Sequence, residues 1–205
     1  MLVLPTDIDH IGGMDRNPPK YDFAKPQFPY GAVEAALAQV FGVKRPAETA
    51  KLRAHIKHLQ RLGLGGGAGK GARVRYTLAQ ASQWLLALLM SEIGIDQVIS
   101  VQTIQKAWPQ LLQRWFEQAL DNDSRAGNPT WLTLRPKPMT GWAKGGAVEW
   151  IGVFRWKDLR SKKQPYTLLT KATEDEDASL CTRNLTRVML KFARALGLEP
   201  KPEEK

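Results

Sequence analysis

The sequence predicts an α+β protein that is mainly α, and three observations carry that class. Between residues 30 and 120 apolar residues recur at helical spacing, in blocks closed by Gly42, Gly63 and Gly94. Apart from a short alternating stretch at 72–76, strand-like runs appear only late, at 131–134, 148–156 and 166–170. A final amphipathic stretch at 180–196 reads as another helix. With 205 residues, 43% hydrophobic and 24% charged, the chain has a globular composition and enough length to bury a core.

Taken in order, residues 1–28 contain Pro5, Pro18, Pro19 and Pro26 and little apolar periodicity, so a flexible arm or an extended strap is expected. Arg16, Lys20 and Lys25 there are balanced by Asp7, Asp9, Asp15 and Asp22. From Tyr30, Val33, Leu37, Val40 and Phe41 form a helical face that Gly42 ends. Pro46 suits the first turn of a second helix reaching Leu62, with Leu52, Ile56 and Leu59 inward. Lys51, Arg53, Lys57 and Arg61 fall mostly off that inner face.

The glycine-rich run 65–71 cannot lie inside a helix, and with the alternating 72–76 it predicts a β-hairpin or ribbon with a flexible, basic tip. Thr77 and Gln80 have capping-box spacing and open a third helix, expected to reach Ile93. From Trp84 to Met90 it is apolar on every side and should be surrounded by neighbours. In 97–120, Val101, Ile104, Trp108, Leu111 and Trp115 alternate spacings of three and four, the pattern of a coiled-coil seam, and Pro109 must kink or split the helix. Residues 121–129 read as a polar linker. In the last helix Leu185, Val188, Phe192 and Leu196 share a face, Arg183, Arg187, Lys191 and Arg194 form a stripe elsewhere, and Glu174 to Asp177 precede it.

The charge is concentrated. Of a net +10, the stretch 44–75 holds Lys44, Arg45, Lys51, Arg53, Lys57, Arg61, Lys70, Arg73 and Arg75 against one acid, Glu48. Such a block repels itself and is relieved when a polyanion neutralises it. His55 and His58 lie in the same stretch.

The order helix, turn, basic helix, glycine-rich ribbon resembles a winged helix-turn-helix. Residues 37–43 (Leu-Ala-Gln-Val-Phe-Gly-Val) resemble its first helix and turn, and Thr49-Ala50-Lys51-Leu52-Arg53 with Leu59-Gln60-Arg61-Leu62-Gly63-Leu64 its recognition helix and exit. Gly69-Lys70-Gly71-Ala72-Arg73-Val74-Arg75-Tyr76-Thr77 resembles the wing, and the helix pair that follows it directly is similar to the MerR-like branch. The stretch 43–63 is longer than usual for that family, and beyond Leu120 nothing resembles it. The resemblance implies sequence-specific binding of double-stranded DNA, as in a bacterial-type transcriptional regulator. The second helix would lie in the major groove and the wing on the backbone. The residues it singles out are Lys44, Arg45, Thr49 and Lys51 near the helix start, Arg53 and Lys57 on guanine or phosphate, and Lys70, Arg73 and Arg75 on phosphates.

Other chemistries find less support. The glycine-rich loop fails as a Walker motif, because Leu64 stands where the first glycine belongs and Gly71 where Ser or Thr belongs. Three histidines in the chain and no Ser/His/Asp or paired-carboxylate pattern argue against an enzyme, and no cofactor is implied. His55 and His58 lack a third metal ligand, and a lone Cys181 excludes a disulfide framework and is read as a packed thiol. The tryptophans Trp108, Trp115, Trp131, Trp142, Trp150 and Trp156 read as core and interface packing before base stacking. The longest apolar run, 84–90, falls far short of the ~20 residues that cross a bilayer, so no membrane partner is expected. A cytoplasmic, nucleoid-associated location is expected.

These readings divide the chain into an arm at 1–28, a DNA-binding domain at 29–98, a helical connector or dimerisation segment at 99–120, and a strand-plus-helix region at 130–200. The seam and the C-terminal region would mediate a homodimer whose paired helices read half-sites one turn apart. Two alternatives stay open: a plasmid or phage replication or architectural protein using the same module, and an RNA-binding protein or enzyme acting through residues after Trp131.

Overall fold

The computed structural model describes residues 21–25, 27–66, 74–121, 130–136, 148–155 and 181–198. Within them the chain is mainly helical with two small antiparallel sheets. The order is β1 (Phe28–Pro29), α1 (Tyr30–Phe41), α2 (Pro46–Arg61), β2 (Arg75–Tyr76), α3 (Leu78–Glu92), α4 (Gln97–Ala107), a π-helical turn (Trp108–Leu112), α5 (Gln113–Asp121), β3 (Thr130–Pro136), β4 (Val148–Arg155), β5 (Cys181–Asn184) and α6 (Leu185–Ala195).

Local signals place the first helices where the sequence predicts them. Gly42 adopts φ 69°, a left-handed conformation that costs glycine little, and Val43 N–H closes back on the Ala38 carbonyl at 2.8 Å. Pro46 opens α2, and the carboxylate of Glu48 accepts the backbone N–H groups of Lys44 and Arg45, each at 3.2 Å. The single acid of the basic stretch is therefore spent on a helix start, where the backbone donors are otherwise unsatisfied. Thr77 Oγ1 accepts from Gln80 N–H at 3.1 Å, and Gln80 Oε1 accepts from Thr77 N–H at 2.9 Å.

The α3 helix is the central post. Trp84, Leu85, Leu86, Ala87, Leu88, Leu89 and Met90 are all buried, and α2 and α4 both pack against it. Trp84 Nε1–H donates to the Leu64 carbonyl at 3.0 Å, and its ring meets Tyr76 at 4.7 Å between centroids. Burying about 150–250 Å² of one aromatic ring is a large apolar contribution, and satisfying the indole N–H removes its desolvation cost.

The expected N-terminal arm is a strap where it is described. Tyr21, Phe23 and Phe28 are buried, Ala79 N–H donates to the Phe23 carbonyl at 3.1 Å, and Gln27 N–H to the Tyr76 carbonyl at 3.1 Å. Three aromatic anchors in a Pro-rich stretch recover enough apolar burial to order it. Residues 1–20 and 26 lie outside the described residues. The ribbon also differs from its expectation. Its closing strand, β2, pairs antiparallel with β1, with Phe28 opposite Tyr76 and Pro29 opposite Arg75. Residues 67–73, including Lys70 and Arg73, lie outside the described residues.

Pro109 interrupts the α-helical run, which stops at Ala107 and resumes at Gln113. It opens a π turn in which Gln113 N–H reaches the Trp108 carbonyl, so one extra residue is taken up in that turn. The buried face there is carried by Val101, Ile104, Trp108, Leu112, Phe116, Ala119 and Leu120, and the side chains of Leu111 and Trp115 are not among the described ones. Nor is that face a free dimerisation seam, because these side chains join the chain's own core. α4 packs on α3 and α5 on α6. The stretch 121–129 falls outside the described residues except Asp121, the last residue of α5.

In the C-terminal part β3 lies between β4 and β5, with Trp131 opposite Phe154 on one side and Asn184 on the other. The expected strand at 166–170 and the acids 174–177 lie outside the described residues. The last helix starts later than expected. Cys181–Asn184 is strand, and Asn184 Oδ1 accepts Arg187 N–H at 2.9 Å to begin α6. Leu185, Met189, Phe192 and Ala193 are buried, while α1, α5 and β3 all pack against this helix. The C-terminal helix therefore completes the core of the N-terminal helices. No helix among the described residues is long and apolar enough to cross a membrane.

Candidate nucleic-acid interface

The α2 helix buries Leu52, Ile56 and Leu59, and its opposite side carries the candidate residues. Ala47, Ala50, Ala54, Lys57 and Arg61, at alternating spacings of three and four, form one exposed ridge. Its N-terminal half is bare of bulky side chains, and its C-terminal half carries two cations. Lys51 is exposed beside the ridge. Sixteen residues at ~1.5 Å rise make α2 about 24 Å long, and the ridge runs along nearly all of it.

Lys44 and Arg45 stand exposed just before α2, and the Arg45 side chain keeps 84% of its exposure despite a 3.9 Å approach to Glu48. At 3.9 Å in solvent that pair is nearly worthless energetically. Thr49 is half-buried, and its hydroxyl donates to the Arg45 carbonyl at 3.1 Å, an intrahelical bond. Lys57 is exposed, and Arg75 is exposed on β2. The structure brings Lys44, Arg45, Lys51 and Lys57 together on or beside one helix, with Arg75 on the adjoining strand.

Arg53 differs from its expected role. Its Nε and Nη2 grip the Glu34 carboxylate of α1, at 3.0–3.1 Å from Nε and 2.7 Å from Nη2. Glu34 is only 8% exposed, and the Arg53 hydrogen bonds hold its carboxyl below the usual carboxylate range against an opposing desolvation penalty. The same bonds raise the pKa of Arg53 further. Arg53 is thus a clasp between the first two helices, and its fork is committed before any ligand arrives. Beside this clasp the buried Tyr30 hydroxyl has its pKa pushed up to about 12, first by burial and then by the negative charge of Glu34.

Two further features are not visible in the sequence alone. Gln60 Nε2–H donates to the Tyr76 hydroxyl at 3.0 Å, tying the end of α2 to β2. At the foot of the glycine-rich loop, Gly65 has φ +86°, and a Cβ there would stand 2.3 Å from the Trp84 indole nitrogen. The chain is therefore held against Trp84 at Gly65, before the stretch that carries Lys70 and Arg73. A glycine spaced to let a backbone pass over a tryptophan was a visible signal only with the fold in hand.

The remaining candidates sort simply. His55 is exposed and His58 half-buried on α2, and among the described residues no group of three His, Cys, Asp or Glu side chains could hold a metal ion. Trp108 packs against Phe116 with centroids 5.1 Å apart, in keeping with a core role. Trp142 and Trp156 lie outside the described residues. The chain matches no protein-family model, and no curated protein shows significant sequence similarity to it.

Proposed function

We propose that this chain binds double-stranded DNA through α2. The observation that carries the reading is the exposed ridge of that helix, a low alanine half leading into Lys57 and Arg61, with Lys51, Lys44 and Arg45 alongside. An α-helix fits the ~12 Å major groove, and alanine methyls allow close approach and apolar contact with thymine methyl groups. Lysines and arginines flanking such a ridge are placed to neutralise phosphates, which supplies most of the affinity and makes it salt-dependent. The basic stretch 67–73 would add backbone contacts through Lys70 and Arg73, and Arg75 would extend them.

On this reading the protein is a sequence-specific regulator of the winged helix-turn-helix kind, its specificity carried by few side chains near the start of α2. A two-fold dimer would place two such helices on successive half-sites, and it would have to use a surface other than the internal α4–α5 face. Binding-site selection from a randomised duplex pool at two salt concentrations tests the proposal. A shared motif recovered at both, with weaker retention at higher salt, is expected. Recovery of no duplex at either salt contradicts it.

A further inference from the structure

The stripe of cations on the last helix is a second strongly charged surface, and its position ties it to the first. α6 packs along α1, and Lys191 Nζ–H donates at 2.8 Å to the Val40 carbonyl in the last turn of α1. That carbonyl lies just before Gly42 and the exposed Lys44 and Arg45. Lys191 therefore sits at the end of α1 from which the chain turns into α2. A cation against the carbonyl end of a helix is itself favourable, yet it accounts for one member of the stripe only.

Arg187 and Arg194, four residues before and three after Lys191, lie on the same side of α6, opposite its buried Leu185, Met189 and Phe192. Both are exposed, and among the described residues neither has an ion-pair partner, whereas Arg183 is paired with Glu92 at 3.0 Å. α6 contains no acid between Leu185 and Ala195. Three like charges on two turns repel one another unless an anion neutralises them.

We infer that α6 carries a second phosphate-binding surface, in which Arg187 and Arg194 hold the DNA backbone flanking the site occupied by α2. The inference rests on the proposed duplex binding by α2. Lys191 docks the helix to the turn and so fixes where the two arginines stand relative to Lys44 and Arg45. Arginine suits this role, since its planar fork matches phosphate geometry.

The test uses the full chain and a mixed-sequence DNA duplex, titrated over a range of salt concentrations. Arg187→Ala with Arg194→Ala is expected to lower the salt slope by about two units, at ~0.9 per lost phosphate contact, and to shorten the hydroxyl-radical footprint at its edges. The same pair changed to lysine should keep the parent slope, which separates lost charge from lost folding. An unchanged slope and footprint in the alanine pair, while Lys51→Ala weakens binding, overturns this inference and leaves the α2 reading standing. Failure of the parent to bind any duplex overturns both. A slope lost on single-stranded RNA but not on duplex DNA also overturns it.

Discussion

Arg53 clasps Glu34 across the first two helices, with Nη2 at 2.7 Å and Nε at 3.0 Å from the carboxylate oxygens. The pair is asymmetric, since the acid is nearly buried while half of the arginine side chain faces solvent. Glu34 alone would be an uncompensated charge inside the α1–α2 interface, so the clasp sets the angle at which α2 presents its ridge.

Removing the guanidinium should therefore cost stability more than contact with a ligand. Arg53→Ala is expected to lower the free energy of unfolding, because it leaves the nearly buried Glu34 carboxylate without its partner. Arg53→Lys should recover only part of this, because lysine cannot reproduce the fork. Urea unfolding of the three proteins measures it.

The clasp also gives stability a pH dependence of definite sign. The Glu34 carboxyl titrates lower in the folded protein than in the unfolded chain, so its contribution is complete above the ordinary carboxylate range. On acidification the unfolded chain takes up the proton first, and the contribution is lost as pH falls through the folded value. Glu34→Gln should be less stable than the parent at neutral pH, and the gap should narrow below the ordinary glutamate range. Unfolding midpoints across that acid range check the sign.

At the loop's foot, Gly65→Ala meets two obstacles. The positive φ alone costs a Cβ-bearing residue roughly 1–2 kcal/mol, and the 2.3 Å approach to the Trp84 indole adds to it. Loss of stability with altered near-ultraviolet circular dichroism is expected. A neutral Gly65→Ala would mean that the loop base is not held against Trp84.

Lys70→Ala should weaken binding to all duplexes alike and flatten the salt slope by about one unit, the signature of a phosphate contact. Lys51→Ala, beside the ridge, should instead weaken a selected site by about 1–3 kcal/mol if it reads a base. Competition titrations of selected against scrambled duplexes separate the two behaviours.

What the sequence made legible was local. Gly42, Pro46 and the Thr77–Gln80 pair mark helix ends within a few residues, and the all-round apolar Trp84 to Met90 identifies the buried post. The α2 ridge was half legible, because its buried face follows from period alone while the commitment of Arg53 does not. Its partner Glu34 stands nineteen residues away on another helix. β1 pairs with β2 across the whole of α1 and α2, a non-local choice that no periodicity encodes. The π turn at Pro109 interrupts the three-four spacing from which the seam is read, and Leu112 and Phe116 carry the buried face beyond it. The last helix reads back to residue 180 in the sequence, and the short strand Cys181–Asn184 before its Asn184 cap went unread.

The most direct test of the account is the salt dependence of duplex binding by the parent and by Lys51→Ala/Lys57→Ala/Arg61→Ala, whose side chains are all exposed on or beside one ridge. Tight binding by the parent is expected, and in the triple variant a slope smaller by about two to three units, at ~0.9 per phosphate, with an unchanged unfolding midpoint. Equal affinity and equal slope in the two proteins would contradict it.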